Sequence, residues 1–399
     1  MSTSVKGRRT EVGGRKAGQR EEKPKFQTIT KNVMTENKPL RVLLVAGARP
    51  NFMKIAPIYR ASLYWEKVDC RIVHTGQHYD HEMSQAFFDE LEIPAPAYHL
   101  EAGSGSHAEQ TAKIMVAFEK VCEAERPDLV MVVGDVNSTL ACSIVAKKMC
   151  IHAAHVEAGL RSFDLSMPEE INRMVTDAIS DLFFVTEESG VENLLREGKP
   201  RDKIFYVGHV MIDNLLYQKD KLDRDGGRAF SVYALKQSHP EYAFLTLHRP
   251  SNVDSRPVFL GIVGALNEIA EKRPIFFPVH PRTKKMIEQM NIGLSEKIFM
   301  LPPLSFTESL FLWKDAHVVL TDSGGLQEET TVLKKPCVTI RDNTERPITV
   351  QIGTNVLAGT TKEGILRAYE ESLEKVAGAR VPEKWDGKAA ERIWDVVAG

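Results

Sequence analysis

The chain has 399 residues, 43% of them hydrophobic, and a formal net charge of −2. That is length enough for one large or two medium domains, and the near-zero charge argues against a nucleic-acid-binding body. No apolar run is long enough to span a membrane, and the amino terminus lacks the apolar core of a signal peptide. The 5 cysteines (Cys70, Cys122, Cys142, Cys150 and Cys337) lie mostly in apolar segments with no CxxC pair or zinc spacing, which fits buried free thiols in a reducing cytoplasm.

Residues 1–39 are rich in Lys, Arg, Gly, Ser, Thr and Glu without an apolar period and read as a disordered basic extension. Arg41–Ala46 reads as a buried strand, Gly47–Asn51 as the turn after it, and Phe52–Trp65 as a helix, the start of a nucleotide-type α/β unit. The turn is neither GxGxxG nor a P-loop; Arg49 within it either reaches a phosphate or forms a surface ion pair. Strand Arg71–Thr75 leads into Gly76–Asp80, and helices run to Leu91 and, after Gly103–His107, to about Glu125. Strand Leu129–Val133 ends in Gly134-Asp135, with Asn137-Ser-Thr139 placed to cap the next helix. Asp135 is either a working carboxylate or a turn residue satisfied by backbone amides.

The apolar run Ile151–Val156 reads as a short buried strand. Glu157 follows it directly, at the carboxyl edge where open parallel sheets bind ligands. Pro168 is placed to start a helix, with Glu169 and Glu170 in its first turn. Helix capping and an ion pair explain Glu170. They explain Glu157 poorly, because a carboxylate after a core strand is costly unless paired or used. Strand Leu182–Val185, helix Thr186–Arg196 and strand Ile204–Val207 complete this half.

A second β/α alternation starts at Gly208. A helix over Val210–Leu222 precedes strand Tyr242–Leu247, which ends in His248-Arg-Pro-Ser-Asn252. Helix Arg256–Lys272, strand Pro274–Val279 and His280-Pro-Arg282 follow. Then come strand Ile298–Leu301, helix Phe306–Trp313, strand Ala316–Leu320, Thr321-Asp-Ser-Gly-Gly325 opening helix Leu326–Leu333, and strand Pro336–Ile340. A last helix, Trp385–Val397, is expected to fold back on the first half. The expected organisation is therefore two doubly wound Rossmann-like α/β domains, 40–207 and 208–382, facing each other across a cleft, with 383–399 returning to the first.

Every polar cluster falls at the carboxyl end of a strand. Asp322–Gly325 at a helix start is an anion site: its glycines allow close approach, and the first amides point at the ligand. Glu329, one turn further in, is placed to accept from the two hydroxyls of a ribose. Arg49, His248 and Arg282 add positive groups. Asp135, Glu157 and Glu169 suit proton abstraction, general acid work or stabilisation of an oxocarbenium-like carbon, and their proximity raises the pKa of at least one. No metal-ligating cluster is evident, and no cofactor is expected.

The pieces GARP (Gly47–Pro50), TGQH (Thr75–His78), GD (Gly134–Asp135), HVEAGLRS (His155–Ser162), PEEINR (Pro168–Arg173), HR (His248–Arg249), PVHP (Pro278–Pro281), DSGGLQEE (Asp322–Glu329) and RDNTERP (Arg341–Pro347) together resemble the UDP-N-acetylglucosamine 2-epimerase family of the non-hydrolysing type. The resemblance implies a GT-B-like fold and interconversion of UDP-GlcNAc and UDP-ManNAc: anti elimination of UDP, a bound glycal, and re-addition of UDP. It implies catalytic roles for Asp135, Glu157, Glu169 and His248. It implies substrate contacts from Arg49, Lys54, Arg173, His248, Arg282, Ser323, Gly324, Gly325 and Glu329. An allosteric second UDP-GlcNAc site is matched by Gln77, His78 and Gln110, but Glu109 replaces the family's arginine. Asn51 stands where many members carry Glu, and Ser309 where an aromatic packs on uracil. The expected partners are a UDP-sugar and a second copy of the chain, with neither nucleic acid nor membrane, in the service of polysaccharide precursor supply. Alternatives are a related sugar such as UDP-2,3-diacetamido-glucuronic acid, hydrolysis to ManNAc and UDP, or GT-B glycosyl transfer.

Overall fold

The computed structural model describes residues 1, 38–76 and 85–399. The basic extension therefore lies almost wholly outside the described residues, as do Gln77 and His78. The first unit runs β1 (Leu40–Ala46), α1 (Arg49–Ser62), β2 (Val68–His74), α2 (Gln85–Leu91), β3 (Tyr98–His99), α3 (His107–Glu125), β4 (Leu129–Val133), α4 (Asn137–Lys148), β5 (His152–Val156), α5 (Pro168–Ile179), β6 (Leu182–Val185), α6 (Glu188–Arg196) and β7 (Ile204–Tyr206). The second runs α7 (Val210–Asp225), α8 (Tyr233–Ser238), β8 (Ala243–Thr246), α9 (Pro250–Val253), α10 (Arg256–Lys272), β9 (Ile275–Pro278), α11 (Pro281–Gln289), β10 (Ile298–Leu301), α12 (Phe306–Trp313), β11 (Val318–Thr321), α13 (Gly324–Val332), β12 (Cys337–Thr339), α14 (Pro347–Gln351), β13 (Asn355–Leu357), α15 (Lys362–Lys375) and α16 (Ala389–Val397).

The strands form a seven-stranded sheet of order β3-β2-β1-β4-β5-β6-β7 and a six-stranded sheet of order β10-β9-β8-β11-β12-β13. All recorded pairings are parallel. Helices cover both faces, so β4 (LVMVV) is buried at every position, as expected of a central parallel strand. The fold class expected from the sequence, two doubly wound α/β units in the GT-B manner, is the one observed. Strand order reverses between β1 and β4 and between β8 and β11, and ligands bind at such switch points. Register puts the relevant strand ends level, Val133 opposite Val156 and Thr246 opposite Thr321.

Several boundaries differ from the sequence reading. Helix α1 starts at Arg49, three residues early, because Pro50 sits in its first turn with φ already fixed for a helix. Asn137 does not cap α4: Val136 is the N-cap residue and makes no side-chain bond. Asn137 is instead the first helical residue, turned inward onto Gln110 (2.8 Å). The last helix begins at Ala389, not Trp385, where Asp213 accepts the free amides of Ala389 and Ala390 at 3.1 and 2.7 Å. Strands β3 and β13 and helices α8, α9, α11, α14 and α15 were not foreseen. The strands, of two and three residues, are too short to show a period. Helix α15 has a Thr361 cap bonded to Gly364 N and was legible.

The chain crosses between units at Val207–His209 and returns through residues 383–388. Gly208 has φ +95°, and a Cβ there would lie 2.0 Å from Lys384 O, so the two crossings touch. Tyr206 donates to Glu383 O (2.5 Å) and Lys384 Nζ to Tyr206 O (3.0 Å). Helix α16 then lies on α1, with Trp394 Nε1 donating to Ile58 O at 2.7 Å. Among the described residues no helix is long and apolar enough to cross a membrane.

Candidate active site

The first cluster is built on the ends of β4 and β5. His155, fully buried, reaches Gly134 O at 2.9 Å through Nε2 and Asp177 Oδ1 at 2.6 Å through Nδ1. Asp177 also takes Gly159 N (3.0 Å) and Arg161 Nη2 (2.7 Å), tying both strand-end loops to α5. Glu157 is held between them with φ +69°, a strained conformation for a side chain with a Cβ and one that clusters at functional sites. Gly159 must be glycine, since a Cβ would stand 2.3 Å from Gly190 O. The Glu157 carboxylate is 4% exposed and ion-paired with Lys54 Nζ. Asp135 pairs with Arg173 Nη2 at 2.6 Å. Burial pushes the pKa of Asp135 up, but the charges of Lys54, Arg173 and Arg346 outweigh it and hold the group below its ordinary value.

Glu170 accepts from Ser162 N (2.9 Å), Phe163 N (3.1 Å) and Arg173 Nη1 (2.8 Å), the capping and ion-pair part expected of it. Glu169 is exposed in the first turn of α5 and makes no bond among the described residues. Gln110 donates to Gly103 O and accepts from Asn137. Asn172 links Asn137 Oδ1 (3.3 Å) to Asp135 O (2.8 Å), so a chain of amides joins Gln110 to the Asp135 loop.

The second cluster sits on β8 and β11. Asp322 is buried and accepts His248 N (2.9 Å), Arg249 N (2.8 Å) and Asn252 Nδ2 (3.2 Å). It also takes His248 Nδ1 at 2.7 Å. Burial raises the Asp322 pKa, but His248 and these amides bring it below the ordinary range. This pairing sets Nδ1 of His248 against the Asp322 carboxylate and leaves Nε2 without a protein partner among the described residues, on a half-exposed ring. Ser323 is the N-cap of α13, and the helix opens with Gly324 and Gly325. A Cβ at Gly324 would meet nothing within 4 Å, and one at Gly325 only Met211 Cε at 3.6 Å. Packing does not demand these glycines; they leave open space in front of a helix N-terminus, which attracts anions.

On α13 two adjacent buried carboxyls have opposite environments. Glu328 faces His209 Nε2 at 3.1 Å and Arg346 Nε at 2.5 Å. Burial raises its pKa, but Arg346 and His209 bring it down to about 2. Glu329 has no hydrogen-bond partner among the described residues, and burial, then the charge of Glu328, pushes it up to about 8. Pairs driven apart in this way mark working sites. Arg346 is held strongly protonated, first by Glu328, against burial, and then by Glu157 and other carboxylates. A cation of the second unit thus faces the acids of the first.

A family model described as UDP-N-acetylglucosamine 2-epimerase matches residues 64–398. The chain belongs to this epimerase family. It is similar to the UDP-N-acetylglucosamine 2-epimerase of Methanocaldococcus jannaschii, 44% identical over 360 residues, which cover 89% of this chain and 98% of that protein. It is also similar to the UDP-2,3-diacetamido-2,3-dideoxy-D-glucuronate 2-epimerase of Pseudomonas aeruginosa, 39% identical over 362 residues, 90% of this chain and 99% of that one. A crystal structure of the M. jannaschii UDP-GlcNAc 2-epimerase in complex with UDP-GlcNAc and UDP superimposes with a TM-score of 0.78 at 44% identity, covering 90% of this chain and 99% of that chain. Family membership makes the protein an isomerase.

Of the residues singled out for an epimerase site, the structure brings together Asp135, Glu157, Lys54 and Arg173 on one unit, and His248, Ser323, Gly324, Gly325 and Glu329 on the other. Arg49 lies with its guanidinium 5.1 Å over the Phe87 ring. Arg282 is turned onto Asp254, at 3.1 and 2.5 Å, and makes no recorded contact with the site. Three residues were missed: His209, Glu328 and Arg346. Glu328 and Arg346 lay inside the motifs DSGGLQEE and RDNTERP, but only the folded second unit, which brings the two motifs together, reveals them as partners. Among the described residues no group of three side chains is arranged to hold a metal ion.

Proposed function

We propose that this protein interconverts UDP-GlcNAc and UDP-ManNAc by eliminating and re-adding UDP. The observation that carries the reading is a cation of the second unit beside the acids of the first: Arg346 interacts electrostatically with Asp135 and with Glu157. On this reading, Glu157 and Asp135 line one wall of a cleft, and Arg346, His248 and the open start of α13 line the other. In the reading, a carboxylate of the first unit takes the C2 proton, the C1–O bond breaks with its electron pair leaving on UDP, and a C1–C2 double bond remains. UDP re-adds at C1 as a proton returns to C2 on the opposite face. The C2 proton is barely acidic, so its removal needs strong stabilisation of the departing diphosphate. The first amides of α13, Arg346 and His248 Nε2 are the groups suited to that charge, and Glu329 to the ribose hydroxyls. Ser323, Gly324 and Gly325 take the diphosphate, and Lys54 and Arg173 orient the acids. Glu169, exposed and without a side-chain partner among the described residues, has the freedom to join the reacting carbon as a third acid.

The test is incubation with UDP-GlcNAc in D₂O followed by proton NMR. Deuterium at C2 with UDP-ManNAc formed supports the reading. Free ManNAc with UDP would replace it by a hydrolysing reaction, and no exchange would reject it for this sugar. The resemblance to the diacetamido-glucuronate enzyme favours that sugar as the second reading, to be tried in the same assay.

The working unit in this reading is a homodimer. Ile171, Met174 and Val175 are 42%, 41% and 37% exposed along one stripe of α5, and Ile171 lines a groove with Ala108, Ala112 and Met115 of α3. Contiguous apolar faces of this kind mark protein interfaces, and a single patch that covers itself gives a closed two-fold pair. Light scattering is expected to give twice the chain mass for the wild type and the chain mass for Ile171→Glu/Val175→Glu; a monomeric wild type would reject the pairing.

A further inference from the structure

His209 is absent from the proposed chemistry, yet it is buried at the crossing between units. Its Nδ1 accepts from Met211 N at 3.1 Å, capping α7. Its Nε2 faces Glu328 Oε1 at 3.1 Å, and its ring meets Trp385 edge-on with centroids 5.3 Å apart. Trp385 in turn donates to Thr186 O of the first unit at 3.1 Å. Glu328 draws the pKa of His209 up against the burial that lowers it. A second proton on Nδ1 would face the Met211 N–H, so the neutral Nε2–H tautomer satisfies both contacts.

Glu328 thus divides its charge between two close partners, the His209 ring and the Arg346 guanidinium. We propose that His209 is a positioning residue: by engaging Glu328 it keeps the Arg346 guanidinium turned to the cleft, where the charge of the departing diphosphate develops. Without the Nε2–H donor, the buried Glu328 carboxylate has Arg346 as its one strong partner and neutralises it. The inference rests on the epimerase reading above and adds a residue outside the expected substrate contacts.

Substitutions separate this role from the helix cap. Asn is a favoured N-cap residue; its Oδ1 takes the place of Nδ1, but its amide does not extend to Glu328. Gln reaches as far as Nε2 and supplies an N–H, but caps poorly. With UDP-GlcNAc in D₂O, His209→Asn is expected to stay folded with a lower melting temperature, to keep its affinity for UDP, and to lose about 10²-fold in kcat, the scale of a misplaced catalytic group. His209→Gln should recover most of that loss despite a lower melting temperature. Wild-type kcat in His209→Asn would overturn the proposal, as would equal losses in Asn, Gln and Ala variants that track their melting temperatures. A wild type without C2 exchange would instead overturn the epimerase reading, and this role with it.

Discussion

Glu157→Gln is expected to lower C2 exchange by about 10²–10⁴-fold, the usual contribution of a positioned general base, while UDP affinity stays unchanged. Gln has the shape of Glu and keeps an acceptor for Lys54, so the strained φ at this position and the loop around it are retained. What is lost is the charge that can hold a proton. The same substitution leaves Lys54, whose side chain is 14% exposed, without its counter-ion. Breaking a buried pair by removing one partner costs about 3–5 kcal/mol, and a lower melting temperature is expected alongside the kinetic loss. UDP binding by calorimetry then distinguishes a folded, inactive enzyme from a damaged one. Exchange at the wild-type rate would remove Glu157 from the chemistry.

UDP affinity should rise with pH and level off above the value at which free Glu329 ionises, about 8. The proton stays on this carboxyl at neutral pH because burial and the charge of Glu328 disfavour the anion. Ribose hydroxyls donate best to a carboxylate, so binding releases the proton. Affinity should therefore climb by up to about tenfold per pH unit below that pKa. UDP's own last ionisation, near pH ~6, is common to wild type and Glu329→Gln and cancels in their comparison. The variant should bind UDP about 1.5–3 kcal/mol more weakly at pH 9, the scale of a hydrogen bond to a charged group, with no remaining slope. Stability moves the other way. The folded pKa lies above the unfolded one, so the contribution of Glu329 to the free protein is fully present below the ordinary pKa of 4.5 and is lost as pH rises through about 8. Glu329→Gln should remove that loss. Calorimetric titration in buffers of different ionisation enthalpy measures the released proton directly; a release of zero at pH 7 would reject the coupling.

The strand-end carboxylates were legible because each stands just past a short, mostly apolar strand. A charge directly after Val156, or after Val133 and one glycine, has few structural reasons to be there, and parallel register sets those ends side by side. The glycine-opened helix after Thr321 was legible for a similar reason, by its residue types alone. What linear order could not convey is pairing over distance. Arg282 looks like any cation at a strand end, and only folding shows it captured by Asp254. His209 looks like a residue beginning a helix, which it is; its second contact lies more than a hundred positions away. Asn137 suited a helix cap, but its neighbours Gln110 and Asn172, brought in by packing, hold it more strongly than the backbone would.

The contact between Gly208 and Lys384 sets how the molecule can open. Two covalent connections lie side by side and are laced together by Tyr206 and Lys384, so a swing about that seam is the relative motion of the halves that these connections leave open. Displacement during such a swing is smallest at the seam and grows with distance from it. His209 and Glu328, next to the seam, would stay engaged throughout, while the groups furthest from it would travel to admit a sugar nucleotide and return to enclose it.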